Sequence, residues 1–126
     1  PASMRATLAQ LGRTPAQRRI AVLGAMRELG AHGPAFHAAL AEPMREAGVD
    51  YAVLVGAEME PLAEELGKGV PNVLGKPIGF AHAKSVQEAT EILRDFGLRR
   101  DDVILVKGSN SVGLASLVSA LSNRQG

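Results

Sequence analysis

Short, continuously apolar runs, each closed by a glycine within two residues, are the feature of this sequence that most restricts its fold. The three such runs are Ile20–Leu23, Tyr51–Val55 and Val103–Val106, and Ile78–Ala81, which contains Gly79 and is not closed by a glycine, is a weaker candidate for a fourth strand. Such runs suit strands that are buried on both faces, as in a parallel sheet. Because stretches with apolar residues at helical spacing separate them, the sequence predicts an α/β fold: an open, mostly parallel, Rossmann-like sheet with helices on both faces.

The intervening stretches predict helices with recognisable ends. Ser3 is a candidate cap for the first, Pro34 fits the first turn of the second, and Pro43 should kink or split that second helix. Residues 85–88 form a capping box, and Gly97 is a natural stop for the helix it begins. The apolar positions that define the five helices are Met4, Leu8 and Leu11; Phe36, Leu40 and Met44; Met59, Leu62, Ala63 and Leu66; Val86, Ala89, Ile92, Leu93 and Phe96; and Leu114, Leu117, Val118 and Leu121.

Composition narrows the class of protein. The 126 residues suit one domain, and a hydrophobic content of 46% with only 3% aromatic residues indicates an aliphatic core. A net charge of +1 gives no strong field for nucleic acid. No apolar run approaches the roughly 18 residues of a membrane span. Cysteine is absent, which excludes disulfides and is compatible with a cytoplasmic protein.

Common nucleotide and metal motifs are not matched. After the first apolar run, Gly24-Ala25-Met26-Arg27-Glu28-Leu29-Gly30 lacks the second glycine of a dinucleotide fingerprint. Gly75-Lys76-Pro77 lacks both the hydroxyl residue and the earlier glycine of a P-loop. His32, His37 and His82 do not have the spacing of metal ligands, so we predict no metal site.

The clearest candidate for binding is Lys107-Gly108-Ser109-Asn110, which follows a strand and precedes a helix. Free amide groups and the positive end of the helix dipole, together with a lysine, suit a carboxylate or phosphate. The alternative is that Ser109 or Ser111 only caps the helix and Lys107 is solvated. The residues alone leave both interpretations open.

Two further candidates lie near the first two strands. Glu28, just beyond the first strand, is either a ligand for an amine or hydroxyl group or an exposed glutamate beside Arg27. His37 is either functional or a solvated or structural histidine. Because Phe36 and Leu40 take the apolar face of its helix, we expect His37 to be partly exposed.

These segments, taken in order, resemble the Mur ligases, which build bacterial peptidoglycan precursors. The resemblance covers essentially the whole chain and is closest to the MurF branch, which adds D-alanyl-D-alanine. Pro1-Ala2-Ser3-Met4 matches the tail of the family motif N-A-N-P-x-S-M, starting at its proline. Residues 24–30 match G-D-M-x-E-L-G, and His37 matches a histidine on the next helix. The motifs A-G-I/V-D, V-G and L-V-K-G-S are matched by residues 47–50, Val55-Gly56 and residues 105–109. Ala25 stands in place of the motif aspartate, and Asn110 in place of an arginine that often follows the last motif.

The resemblance implies a role inside a larger enzyme. Mur ligases have three domains, and the central one carries the P-loop, the Mg²⁺ ligands and the catalytic lysine. It phosphorylates a substrate carboxylate with ATP, and the amine of the incoming amino acid or dipeptide attacks that acyl phosphate. Residues 1–126 are then a single C-terminal domain that closes over the site. The N-terminal and central domains are missing, so this chain is expected to be inactive alone.

The resemblance also implies substrates and contact residues. The full enzyme is expected to be a cytoplasmic monomer that joins D-alanyl-D-alanine to UDP-N-acetylmuramoyl-tripeptide, with ATP and Mg²⁺ bound mainly by the central domain. The residues implied in substrate binding are Lys107, Ser109, Asn110 and Glu28, those implied in a nucleotide or domain interface are Met26, His37 and Gly56, and no catalytic residue is expected here. Two alternatives remain: a free-standing module for a small anionic metabolite, or a Mur ligase that adds another amino acid.

Overall fold

A computed structural model shows a parallel α/β sheet, which confirms the predicted fold class. It describes residues 2–108 and Gly113, without the side chains of residues 2, 3 and 27–29. The strands of the described part are β1 (Arg18–Gly24), β2 (Tyr51–Val55), β3 (Gly79–Ala83) and β4 (Asp102–Lys107). They lie in the order β3-β2-β1-β4, and every neighbouring pair is parallel.

Helices connect these strands. The α-helices of the described part are α1 (Ala2–Arg13), α2 (Gly33–Ala39), α3 (Ala41–Glu46), α4 (Glu60–Leu66) and α5 (Val86–Phe96). Two short 3-10 helices, Arg27–His32 and Ala57–Met59, follow β1 and β2. The helix predicted around Leu114 to Leu121 lies outside the described residues.

Several predicted boundaries were wrong, since β1 and β4 both extend beyond their apolar runs. Helix α1 begins at Ala2, so Ser3 lies inside the helix and is not its cap. Strand β3 runs to Ala83 instead of ending at Ala81, because its partners in β2 extend from Tyr51 to Val55. Ile78 precedes the strand and contributes a buried side chain without a place in the ladder.

Pro43 splits the second predicted helix, as expected. It has no amide hydrogen for the Ala39 carbonyl, so one continuous helix would lose a hydrogen bond there. The chain instead turns at Leu40, between α2 and α3. Pro43 then falls in the first turn of α3, where a missing donor is tolerated.

The core has two aliphatic layers, one on each face of the sheet. Alternate strand residues such as Leu23 and Leu54 face α1 to α4, whereas Val22 and Val53 face α5. The largest fully buried side chains are those of methionine, leucine, isoleucine and valine. The sheet is therefore covered on both faces, and its carboxyl edge is where polar groups can meet a ligand.

In the part of the chain that the structure describes, no helix has the length and apolar character that a membrane span requires.

Candidate functional site

A cleft of about 810 Å³ opens at the carboxyl edge of the sheet, beside the ends of β1 and β2. Parallel pairing brings these ends together, since Gly24 is in register with Val55. Lys107, at the end of β4, is in register with Leu23 on the other side of β1. The cleft is lined by Ala25, Met26, Gly30, Gly33, Pro34, His37, Ala57, Glu58 and Pro61.

His37 lies in the wall of this cleft and is only 3% exposed, so the prediction of a partly exposed side chain was wrong. The reason is tertiary: α2 packs against both 3-10 helices and α4, which cover it from several sides. The Met26 amide donates a hydrogen bond to Nε2 of His37 at 3.1 Å. Within the described residues, the buried Nδ1 atom has no hydrogen-bond partner.

The surroundings of His37 favour its neutral form. Burial lowers the pKa of the imidazole, because a charged ring loses its hydration. The backbone and the carboxylate of Glu58 act in the opposite direction, but the pKa remains below its ordinary value. His37 therefore offers one acceptor and one donor nitrogen at neutral pH.

The loop after β2 forms the facing wall, and its turn depends on Gly56. This residue has a φ of 103°, and its amide donates to the Ala83 carbonyl at 2.8 Å. Nε2 of His82 lies 2.6 Å from the Gly56 carbonyl oxygen and fixes the turn from β3. Two residues later, the exposed Glu58 brings a carboxylate to the cleft.

The loops after β1 and β4 approach each other closely at Gly24 and Gly108. A Cβ atom on Gly108 would lie 2.9 Å from both Cα and N of Gly24, and Gly108 has a φ of 151°. Lys107 ends β4 on the face of the sheet that carries α1 to α4, since Val103 and Leu105 pack into that layer. Its side chain is partly buried and makes no ion pair with the described residues.

The structure brings some of the predicted site residues together and separates others. Met26 and His37 line the cleft, and Gly56 lies directly before its second wall. Lys107 lies at the same edge but does not line the cleft, because β1 separates β4 from β2. The side chain of Glu28, and Ser109 and Asn110 as a whole, fall outside what the structure describes.

Sequence reasoning missed Glu58 and His82 as groups of this site. Glu58 carried a usable signal, since it comes just after the end of a buried strand. His82 had no such signal, because it lies within β3 and acts on a loop 26 residues earlier. No group of three His, Cys, Asp or Glu side chains placed to hold a metal ion occurs among the described residues.

Comparison with known proteins identifies the family. A family model described as "Mur ligase, glutamate ligase domain" matches residues 1–110. This chain belongs to the Mur ligase C-terminal domain family. The resemblance noted in the sequence is thereby confirmed, and the matched segment contains the cleft and the segment from Lys107 to Asn110.

Two relatives carry the same name, UDP-N-acetylmuramoyl-tripeptide–D-alanyl-D-alanine ligase. The protein from Synechocystis sp. is 37% identical over 119 residues, and that from Rickettsia prowazekii is 31% identical over 118 residues. Each match covers 94% of this Mur ligase domain but only 24% of the relative. The chain thus spans about a quarter of the length of the relatives it matches.

A solved structure shares the fold. The MurF ligase from Thermotoga maritima in complex with ADP matches 98% of this chain and 27% of its own, with a TM-score of 0.71 and 21% sequence identity. At this identity the likeness shows the fold, and it agrees with the sheet and helices described above.

Proposed function

We propose that this Mur ligase domain is the C-terminal part of an ATP-dependent enzyme that joins D-alanyl-D-alanine to UDP-N-acetylmuramoyl-tripeptide in peptidoglycan precursor synthesis. One observation carries the proposal: the segments that resemble these ligases begin at the carboxyl ends of β1, β2 and β4, which lie together at one edge of the sheet, and the first two line the cleft there. The 37% identity to a relative of that name points to the dipeptide-adding branch.

The proposed contribution of the domain is positioning and neutralisation of charge. Lys107, with Ser109 and Asn110, is proposed to hold the carboxylate of the incoming dipeptide. A carboxylate at Glu28 is proposed to hold its ammonium group, and Glu58 offers the same chemistry within the cleft. Met26, His37 and Gly56 are proposed to face the nucleotide or a neighbouring domain.

The activating chemistry is assigned to a central domain in this proposal. ATP supplies the phosphoryl group that makes the substrate carboxylate reactive. The described residues offer no cluster of metal ligands, so they do not fit a Mg²⁺ site, and the metal is expected to be held elsewhere in the enzyme. We expect this enzyme to act as a cytoplasmic monomer, with cell shape and division depending on its product.

The complete gene product tests the proposal. Its sequence should contain a G-T-x-G-K-S/T motif upstream of residue 1, and about 300 further residues are expected for two domains of ordinary size. The purified protein should release inorganic phosphate from ATP only when both the dipeptide and the tripeptide nucleotide are present. A complete upstream sequence without that motif would overturn the proposal, and so would phosphate release that does not depend on the dipeptide.

The 126-residue chain alone is predicted to have no ligase activity, because its sequence contains no P-loop. We also expect weak or undetectable binding of ATP, since the nucleotide should lie between domains. Phosphate release and calorimetric titration with ATP measure these two quantities. Turnover of ATP by this chain that depends on D-alanyl-D-alanine would contradict the prediction.

A further inference from the structure

His37 lies between the two loops that form the cleft. On one side, its Nε2 atom accepts the amide hydrogen of Met26, in the loop after β1. On the other side, the backbone and carboxylate of Glu58, in the loop after β2, lie near enough to act on its pKa. His37 is thus hydrogen-bonded to one wall, and the helix that carries it packs against the other.

The hydrogen bond from Met26 fixes the tautomer of the ring. An amide N–H can only donate, so Nε2 must keep its lone pair and the proton of the neutral ring must be on Nδ1. Nδ1 is buried and makes no well-formed hydrogen bond with the described residues, although the Glu58 backbone lies near enough to raise the pKa of the ring. Nδ1–H is therefore a donor held on the side of the ring opposite the Met26 contact.

We propose that neutral His37 is a positioning residue that holds the loop after β1 against α2, which itself packs on the loop after β2, and that the cleft keeps its shape only while Nε2 accepts the Met26 amide hydrogen. Binding of a proton from solvent to Nε2 turns this acceptor into a donor that faces another donor. The hydrogen bond is then lost, and the segment from Ala25 to Met26 is released from α2. This role of His37 depends on the fold alone and does not require the proposed ligase reaction.

The groups around His37 determine the pH range in which its ring binds a proton. The titratable residues on the elements packed against α2 are His32, Glu42, Arg45, Glu46, Glu58, Glu60, Glu64 and Glu65, apart from the undescribed side chains of Arg27 and Glu28. Of the described ones, Glu58 is the one that acts on the pKa of His37, and its effect does not outweigh burial. Because the folded protein favours the neutral ring, His37 contributes stability above its unfolded pKa of about 6.5. That contribution is lost as the pH falls through the lower folded pKa.

Nuclear magnetic resonance of the 126-residue chain tests the proposal directly. At pH 7.5, the ¹⁵N shifts of the His37 ring should show the proton on Nδ1 and none on Nε2. The Met26 amide should exchange with solvent at least about tenfold more slowly than in a variant without an acceptor. Its protection, after correction for intrinsic exchange, should fall as the pH drops through the lowered pKa of His37. A proton on Nε2 at pH 7.5, or an unprotected Met26 amide, overturns the proposal without any variant.

Two substitutions separate positioning from a merely structural role. In His37→Gln, the side-chain oxygen can reach the place of Nε2 and accept from Met26, whereas the shorter side chain of His37→Asn cannot. We expect His37→Gln to keep the protection of Met26 but to lose its pH dependence, and His37→Asn to lose both. Substitution of the exposed His32, as His32→Asn, is the matched control and should change neither.

Equal protection in the two His37 variants would also overturn the proposal, as would a pH dependence that survives in His37→Gln. Amides of β1 and β2 away from the cleft report whether each variant is folded. None of these measurements uses ATP or a ligase substrate. A result that overturns the positioning role of His37 is therefore distinguishable from one that overturns the proposed function.

Discussion

Arg18 and Asp102 form an ion pair that joins the first residues of β1 and β4. The guanidinium donates from Nε to Oδ1 at 2.7 Å and from Nη2 to Oδ2 at 2.6 Å. The Asp102 side chain is 1% exposed, and Arg18 also lies 4.5 Å from the ring centroid of Phe96. Nη2 further donates to the Gly97 carbonyl, so this one pair ties α5 to the amino edge of the sheet.

Because of the Arg18–Asp102 pair, we expect the folded protein to lose stability at acidic pH. Burial alone would raise the pKa of Asp102, but hydrogen bonds from Arg18 and the Arg99 amide, with the nearby guanidinium charges, lower it below its ordinary value. In the unfolded chain this pKa is about 3.9. The carboxylate therefore contributes stability above about pH 4, and this contribution is lost as the pH falls through the lower folded pKa. Urea unfolding between pH 7 and pH 2.5 measures it.

Asp102→Asn should reduce the free energy of unfolding at pH 7 by about 3 kcal/mol, because it leaves Arg18 without its partner. The acid-induced loss should be smaller in this variant than in the wild type, since the titrating group is gone. Asp101→Asn, at the exposed neighbouring position, is the control and should change stability by less than about 0.5 kcal/mol. An unchanged acid-induced loss in Asp102→Asn would contradict the assignment.

At the scale of elements, the ends of β1 and β4 can lie side by side only because two glycines meet there. Gly108 has a φ of 151°, and a side chain on it would meet the backbone of Gly24. Gly97, which ends α5, also has a positive φ, of 79°, but open space surrounds the position of its missing Cβ. The two glycines thus share backbone strain and differ in packing.

Gly108→Ala is predicted to be clearly more destabilising than Gly97→Ala. The Gly97 variant should lose about 1 kcal/mol, the cost of a positive φ for a residue with a side chain. The Gly108 variant should lose about 3 kcal/mol, since an overpacked contact with the Gly24 backbone is added. Urea unfolding of both variants gives the difference. Equal losses would mean that the two loops do not approach as closely as described.

Local patterns predicted the elements whose causes are local. The apolar run of β2 matched its observed bounds, and the Ser85 side chain caps α5 by accepting from the Glu88 amide. The loop before β3 depends on a contact that is not local, because the side chain of Asn72 organises it. Asn72 donates to the Val49 carbonyl and accepts from the Leu74 and Lys76 amides. Its partner at Val49 is remote in sequence, so spacing could not indicate that contact.

For the site, as for the elements, the sequence predicted only the features whose causes are local. The resemblance to the family selected Met26 and His37, of which His37 was also a candidate from the residues alone, and the structure places both at the cleft. The burial of His37 was not predictable, because its cover comes from Ala57–Met59 and α4. Arg18 and Asp102 are separated by 84 positions, and their pairing depends on β4 lying beside β1. Patterns within a segment do not contain that information.

On the scale of the whole molecule, the two edges of the sheet have different properties. The amino edge is held together by the Arg18–Asp102 pair and by Asp50, whose side chain accepts from the Arg19 amide. The carboxyl edge carries the cleft, with loops held by hydrogen bonds at Met26 and Gly56. A sheet held by an ion pair at one edge and carrying a loop-lined cleft at the other suits a domain that brings ligand-binding loops to a partner domain, as the proposed function requires.

The proposed function predicts a specific defect for Lys107 in the complete ligase. Lys107→Met keeps much of the length and the apolar part of the side chain but removes the charge proposed to meet the dipeptide carboxylate. The KM for D-alanyl-D-alanine should rise about tenfold, which corresponds to one charge-assisted hydrogen bond of about 1.4 kcal/mol. The value of kcat should change less, because the contact exists before and during the reaction.

Lys76→Met is the matched control for this charge. Lys76 is an exposed lysine in the loop before β3, at the opposite edge of the sheet from Lys107. Removal of the Lys76 charge should leave the KM for the dipeptide unchanged, and neither Lys76→Met nor Lys107→Met should alter the KM for ATP. A dipeptide KM in Lys107→Met equal to that of the wild type would remove Lys107 from the proposed site. An equal rise in the KM for ATP in Lys107→Met would instead indicate that the Lys107 charge contacts the nucleotide.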